Sequence, residues 1–282
     1  MSISKTALAV FYLLNSKDSD SKIIFEEYLK VDKAYKRGFS RILEDKPFDL
    51  KNTLNSQPLA EKVYKALLNP PTEFAEKLEK HGVGLLCKYD ENFPELLDKA
   101  LGVNCPPYLY CYGDVSFLNE EATGVIGQAN ADAAAYQNAS AVGENVGAQE
   151  GVLICTGQTG CDEVATHRAI KSNARVIWIT PKPFSAVLKD AQVASWIADG
   201  RLTLISPVNP FGEYSAKAVL ECEKYMFAMS KSAYVVKCSS QISSTYASSL
   251  ACLKHSLTSL YVYNTGAKEE KMLIQNGAIE VK

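Results

Sequence analysis

The chain has 282 residues, 47% of them hydrophobic and 22% charged, with a formal net charge of −2. This composition supports a substantial core and excludes a disordered chain, and the length suggests two domains. The near-neutral balance excludes a polyanion site built on bulk charge. Only five of the 30 basic residues are arginines, so any nucleic-acid site must be local and built on lysine.

No apolar run approaches a membrane span, and Met1 to Leu14 lacks a basic leader and a clear cleavage site, which points to a cytoplasmic protein with no membrane partner. The eight cysteines are scattered without a CxxC pair, and His81, His167 and His255 are dispersed. Reduced core thiols are expected, with no metal site and no cofactor.

In chain order, residues 1–100 carry helical apolar spacing: Leu8, Phe11, Tyr12 and Leu14, then Ile23, Ile24, Phe25, Tyr28 and Leu29, then Val63, Tyr64, Leu67 and Leu68. They predict a small N-terminal helical domain. Asn69-Pro-Pro-Thr72 predicts a rigid extended turn, with Thr72 capping a helix that carries Phe74, Leu78 and His81.

Residues 101–282 alternate short β-rich runs with longer amphipathic ones. The predicted strands are 108–112, 123–127, 152–156, 175–180, 201–205, 232–238 and 259–263. The predicted helices are near 130–148, 162–172, 184–199, 214–229, 243–256 and 267–276. Runs such as Arg175-Val-Ile-Trp-Ile-Thr180 lack polar alternation, as a parallel sheet covered on both faces requires. The expected architecture is α/β, a doubly wound and mostly parallel sheet preceded by the small helical domain.

Ligands of such sheets collect beyond the carboxyl ends of the strands. There Val152 to Cys155 breaks into Thr156-Gly-Gln-Thr-Gly160 and restarts as a helix through Val164, Ala165, Ala169 and Ile170. Gly157 and Gly160 permit close backbone approach, and Thr156, Gln158 and Thr159 add donors, so the turn suits a phosphate or carboxylate. A plain strand-to-helix turn with Asp162 as a cap fits the same residues. Ser239, Ser240, Ser243, Ser244 and Thr245 form a second anion cradle or, equally, a polar loop with an N-cap.

The order of segments resembles the DNA-processing protein A (DprA, or Smf) family, a Rossmann-like group. Tyr89-Asp-Glu-Asn-Phe-Pro-Glu-Leu-Leu97 and Cys105-Pro-Pro-Tyr-Leu-Tyr-Cys-Tyr-Gly113 are similar to its Tyr-Pro-x-x-Leu and Pro-Pro lead-in. Val125-Ile-Gly127 resembles its first nucleotide-fold strand, and Thr156 to Asp162 with His167 resembles its Ser-Gly-x-x-x-Gly-Ile-Asp-x-x-x-His signature. Ile242-Ser-Ser-Thr245 takes the place of its Ser-Gly-Ser-x-x-Thr loop, and Met272 to Ala278 that of its Leu-Ile-x-x-Gly-Ala. The departures fall on charge: Gly127-Gln-Ala129 replaces Gly-Ser-Arg, Cys222-Glu-Lys-Tyr-Met226 replaces Arg-Asn-Arg-Ile-Ile, and Val236-Lys-Cys238 replaces Val-Glu-Ala.

The resemblance implies a non-catalytic protein that binds single-stranded DNA in a basic pocket, helps load a recombinase and forms a homodimer. Gly127, Gln128, Thr156–Gly160, Asp162, His167 and the Ser239–Thr245 loop are the expected phosphate or nucleotide contacts. Arg168, Lys171, Lys182, Lys224, Lys231 and Lys237 are the expected cations. Tyr214, Tyr225 and Phe227 are candidate stacking residues, and Tyr225, Met226, Phe227 and Met229 fit a self-association face or core. The alternative is a nucleotide or nucleotide-derivative sensor on the same fold, with DNA binding lost. A third reading is an enzyme using His167 with Asp162 and Glu163, or Cys155 or Cys161 as nucleophile.

Overall fold

The computed structural model describes residues 3–17, 22–34, 47–68 and 72–281; the predicted turn at 69–71 lies outside them. The chain divides into two compact units, Met1–Phe93 with Val103–Tyr110, and Pro94–Gly102 with Cys111–Lys282.

The first unit contains helices α1 (Lys5–Asn15), α2 (Phe25–Ala34), α3 (Pro47–Leu54), α4 (Gln57–Leu68) and α5 (Thr72–Lys80), and strand β1 (Gly84–Cys87) beside β2 (Tyr108–Tyr112). The Ser4 hydroxyl caps α1 by accepting from the Ala7 amide at 3.0 Å and donates to Asp90 at 2.7 Å. Asp32 receives the Tyr89 hydroxyl at 2.6 Å and the Lys88 amine at 3.0 Å. The Lys88-Tyr-Asp90 segment thereby fastens α1 and α2 through their polar groups. Ile24, Phe25 and Leu68, read from spacing as part of an apolar face, are exposed. β1 was not expected, because four buried apolar residues are too short a run to show a period.

The second unit begins with α6 (Glu95–Leu101) and continues β3 (Ala122–Gly127), α7 (Ala133–Ala148), β4 (Val152–Cys155), α8 (Cys161–Lys171) and β5 (Arg175–Ile179). Then come α9 (Phe184–Val187), α10 (Ala191–Ala198), β6 (Leu202–Ser206), α11 (Ala216–Met229), β7 (Ser230–Lys237), α12 (Ser244–His255), β8 (Ser259–Tyr263), α13 (Lys268–Gln275) and β9 (Ile279–Val281). Its strands lie in the order β6-β5-β4-β3-β7-β8-β9, with every pairing parallel.

Val125, Leu153, Ile154, Val176, Ile177, Leu204, Val235 and Val236 are buried, which is why these strands read as continuous apolar runs. From β3 the chain winds outward to β6 on one side, then returns to lay β7, β8 and β9 on the other. The strand order reverses between β3 and β7. Their carboxyl ends therefore flank the crevice where a doubly wound sheet takes its ligands.

The single helix predicted at 184–199 is two. Asp190 interrupts it and caps α10, accepting from the Gln192 amide at 2.8 Å. Tyr225, Met226, Phe227 and Met229 are buried in this unit, so Tyr225 and Phe227 belong to the core and offer no stacking surface. β9 escaped prediction because it is three residues long, and Ile279 and Glu280 are exposed. Among the described residues no helix is long and apolar enough to cross a membrane.

Candidate functional site at the carboxyl ends of the strands

At this switch point residues 127–132 end β3 and lead from it, 156–160 follow β4 and 238–243 follow β7. The ends of β3 and β7 are joined directly. The Gln128 amide donates to the Lys237 carbonyl at 3.2 Å, and the Gln128 side-chain oxygen accepts from the Ser239 amide and hydroxyl, each at 3.0 Å. Two glycines let the three loops approach. A Cβ on Gly127 would lie 2.7 Å from the Cys161 sulfur, and one on Gly160, where φ is +104°, 2.6 Å from the Ala129 carbonyl oxygen.

The loop after β4 has the turn expected of an anion cradle, but its donors are already engaged. Asp162 accepts from the Thr156 amide at 3.0 Å, the Thr156 hydroxyl at 2.7 Å and, more weakly, the Gln158 amide at 3.4 Å. Thr156 and Asp162 are both buried, so neither reaches a ligand, whereas Thr159 is exposed on the rim. Burial pushes the Asp162 carboxyl up to about 6 against those hydrogen bonds and the attraction of Lys182.

The same device recurs in the neighbouring loops. Glu270, fully buried, takes the Thr265 amide at 2.7 Å, the Cys238 amide at 3.1 Å and the Ala267 amide at 3.3 Å. Glu223 reaches from α11 to accept the Ser244 hydroxyl at 2.7 Å at the start of α12, and burial pushes it up to about 7. Its second oxygen has no partner among the described residues. Asp162 and Glu270 thus take loop amides that would otherwise attract an external anion, and Glu223 adds a third buried carboxyl through the Ser244 hydroxyl. Reasoning from sequence missed Glu223 and Glu270. A glutamate inside the apolar stretch of α11, and the helix-start spacing Ala267-x-x-Glu270, were the available signals.

The predicted cations fall at four places. Lys182 and Lys237 lie at the strand ends, both part-buried and engaged: the Lys182 amine is 3.3 Å from the Gly157 carbonyl, and the Lys237 amine, on a side chain only 12% exposed, is 3.2 Å from Asp132 and 2.6 Å from the Thr265 hydroxyl. Lys231 stands at the amino end of β7, paired with Glu121 at 2.5 Å, at the far end of the sheet. Lys224 lies midway along α11 over the Tyr225 ring. Arg168 pairs with Glu144 at 2.6 Å, and with Lys171 and His167 it lines a separate cleft between α8 and α10.

Of the serine loop, Ser243 caps α12 through the Tyr246 amide at 3.1 Å, Thr245 is buried, and Ser239 and Ser240 face the crevice mouth beside Ile242, which is 97% exposed. His167 does not meet Asp162. It is exposed on the side of α8, its ring edge-on to Trp196 at 5.9 Å. Burial drives the Cys155 thiol well up and the Cys161 thiol to about 12, which keeps both protonated at neutral pH.

A family model described as DNA recombination-mediator protein A matches residues 84–281. The chain belongs to that family. Two solved structures superpose on the chain. The DNA processing protein A (DprA) of Streptococcus pneumoniae superposes with a TM-score of 0.73 at 14% identity, over 100% of this chain and 95% of that one. That of Helicobacter pylori, described for its single-stranded DNA binding mode, superposes with a TM-score of 0.59 at 19% identity, over 70% and 90%. At these identities the likeness establishes a shared fold. A search of curated proteins by sequence found no match.

Proposed function

We propose that this DNA recombination-mediator protein A family member binds single-stranded DNA, without catalysis, in the crevice between the ends of β3 and β7. The observation that carries the reading is a lysine at each side of that switch point, Lys182 against the loop after β4 and Lys237 at the end of β7, the latter followed in the chain by Ser239, Ser240 and the exposed Ile242. Lysines that track a backbone and an apolar surface that accepts a base are what a single strand requires. Family membership and the described DNA-binding mode of the Helicobacter pylori neighbour favour the same ligand.

The internal carboxylates set the character of this site. With Asp162 and Glu270 taking the loop amides, phosphate attraction falls to side-chain amines, so binding is modest and strongly dependent on salt. The proposal extends to a cytoplasmic homodimer that hands its strand to a recombinase.

Titration of a labelled oligothymidine at rising salt, with free mononucleotides as competitors, tests the reading. Saturable binding that weakens with salt and resists mononucleotides supports it. Absence of oligonucleotide binding at low salt overturns it, and displacement by a mononucleotide at equal concentration would favour a small-nucleotide sensor.

A further inference from the structure

Away from the strand ends, α8 and α10 enclose a cleft of about 480 Å³, a volume typical of small-molecule sites. Its floor is Trp178, fixed by an indole hydrogen bond to Thr166 at 2.8 Å. On one wall the half-buried ring of Trp196 stands edge-on to His167 with centroids 5.9 Å apart, leaving aromatic surface open to the cleft. Lys171 and Arg168 line the same space, and the exposed carboxylates Glu163 and Asp190 stand at its edge. The Arg168 guanidinium is held by Glu144 at 2.6 Å and its Nε is buried, so Lys171 is the more available cation of the two.

We propose that this cleft is a second site, for one nucleotide, with the base stacked on Trp196 against His167 and the phosphate drawn to Lys171 and Arg168. An aromatic wall and flanking cations are the two elements that hold an unpaired base and its phosphate. A carboxylate decides which base. Glu163 accepts hydrogen bonds but cannot donate them, so it favours cytosine, guanine and adenine, which offer an exocyclic amino group, over thymine, which offers only its ring N–H. The occupant is a free nucleotide or one unit of a strand, and the chemistry of recognition is the same.

The test uses the full chain, with cytidine, guanosine and thymidine monophosphates and the oligomers dC12 and dT12 as probes, read by tryptophan fluorescence and calorimetry. Cytidine and guanosine monophosphates are expected to quench the emission saturably and to bind at least about ten-fold more tightly than thymidine monophosphate. Trp196→Ala and, independently, the exposed His167→Ala should each weaken that binding by a similar factor. A strand-borne source gives dC12 tighter than cytidine monophosphate through Trp196; a free ligand gives the reverse. Lack of saturable mononucleotide binding, or affinities indifferent to both substitutions, overturns the second site. Binding of dT12 is read in parallel and reports on the crevice: its loss overturns the function proposed above without touching the mononucleotide result.

Discussion

The side-chain oxygen of Gln128 lies 3.0 Å from both the amide nitrogen and the hydroxyl of Ser239, so one carboxamide ties the end of β3 to the end of β7 across the point where strand order reverses. Gln128 and Ala129 stand in the stretch that resembles the family's Gly-Ser-Arg, and here it carries no cation. A neutral hydrogen bond joins the two strand ends here, with no cationic side chain at 127–129.

Restoring that charge should strengthen DNA binding. Ala129 is exposed, so Ala129→Arg places a guanidinium at the mouth without disturbing the core. Its oligothymidine affinity should rise and the slope of log affinity against log salt should steepen by about one. An unchanged slope would mean that this wall does not face the strand.

The two lysines of β7 should behave in opposite ways. Lys237→Ala removes the amine at the end of β7, and its salt slope should fall by about one with a several-fold loss of affinity. Lys231 sits at the opposite end of the strand, paired with Glu121, and Lys231→Ala should match the wild type. Equal losses in both variants would place the DNA elsewhere.

Asp162 and Glu223, pushed by burial to about 6 and about 7, predict the sign of a pH effect. In the unfolded chain such carboxyls titrate near about 4. Between about pH 4 and pH 7 the folded state therefore holds more protons. The stability these groups contribute is full below that window, declines as pH rises through it and is flat above. Denaturant midpoints of the wild type and Glu223→Gln, compared from pH 5 to pH 8, should show the wild type losing ground relative to the variant as pH rises. DNA binding should follow the same direction, since a deprotonated floor repels phosphate. A difference between the two proteins that does not vary with pH contradicts the assignment.

Much of this architecture is legible in the sequence. The apolar runs of β3 to β8 betray burial on both faces, and the spacing of Gly157 and Gly160 is enough to mark the turn after β4. Lys231 was expected among the site cations, yet it precedes a predicted strand whose parallel neighbours put all amino ends together, and it stands at that end paired with Glu121. Other features are not legible. Asp162 looks like a helix cap in sequence, but it folds back under the turn to take the Thr156 amide and hydroxyl. The link between Gln128 and Ser239 joins residues 111 positions apart and has no local signature.

Close approach at the crevice sets the cost of substituting its glycines. Gly160→Ala forces a Cβ against the Ala129 carbonyl at a positive φ, and a loss of about 2–4 kcal/mol is expected. Gly277 also has a positive φ, +107°, but open space around it, so Gly277→Ala should cost only about 1 kcal/mol. Denaturant unfolding of both variants checks the ordering, and equal losses would show that contact at Gly160 is unimportant.

The claim that single-stranded DNA lies between β3 and β7 is tested most directly by amide hydrogen exchange with and without saturating oligothymidine. Slowed exchange confined to peptides covering 127–132, 156–160 and 238–243 is the predicted result. Protection at the amino ends of the strands, around Glu121 and Lys231, with none at those three loops, would contradict it.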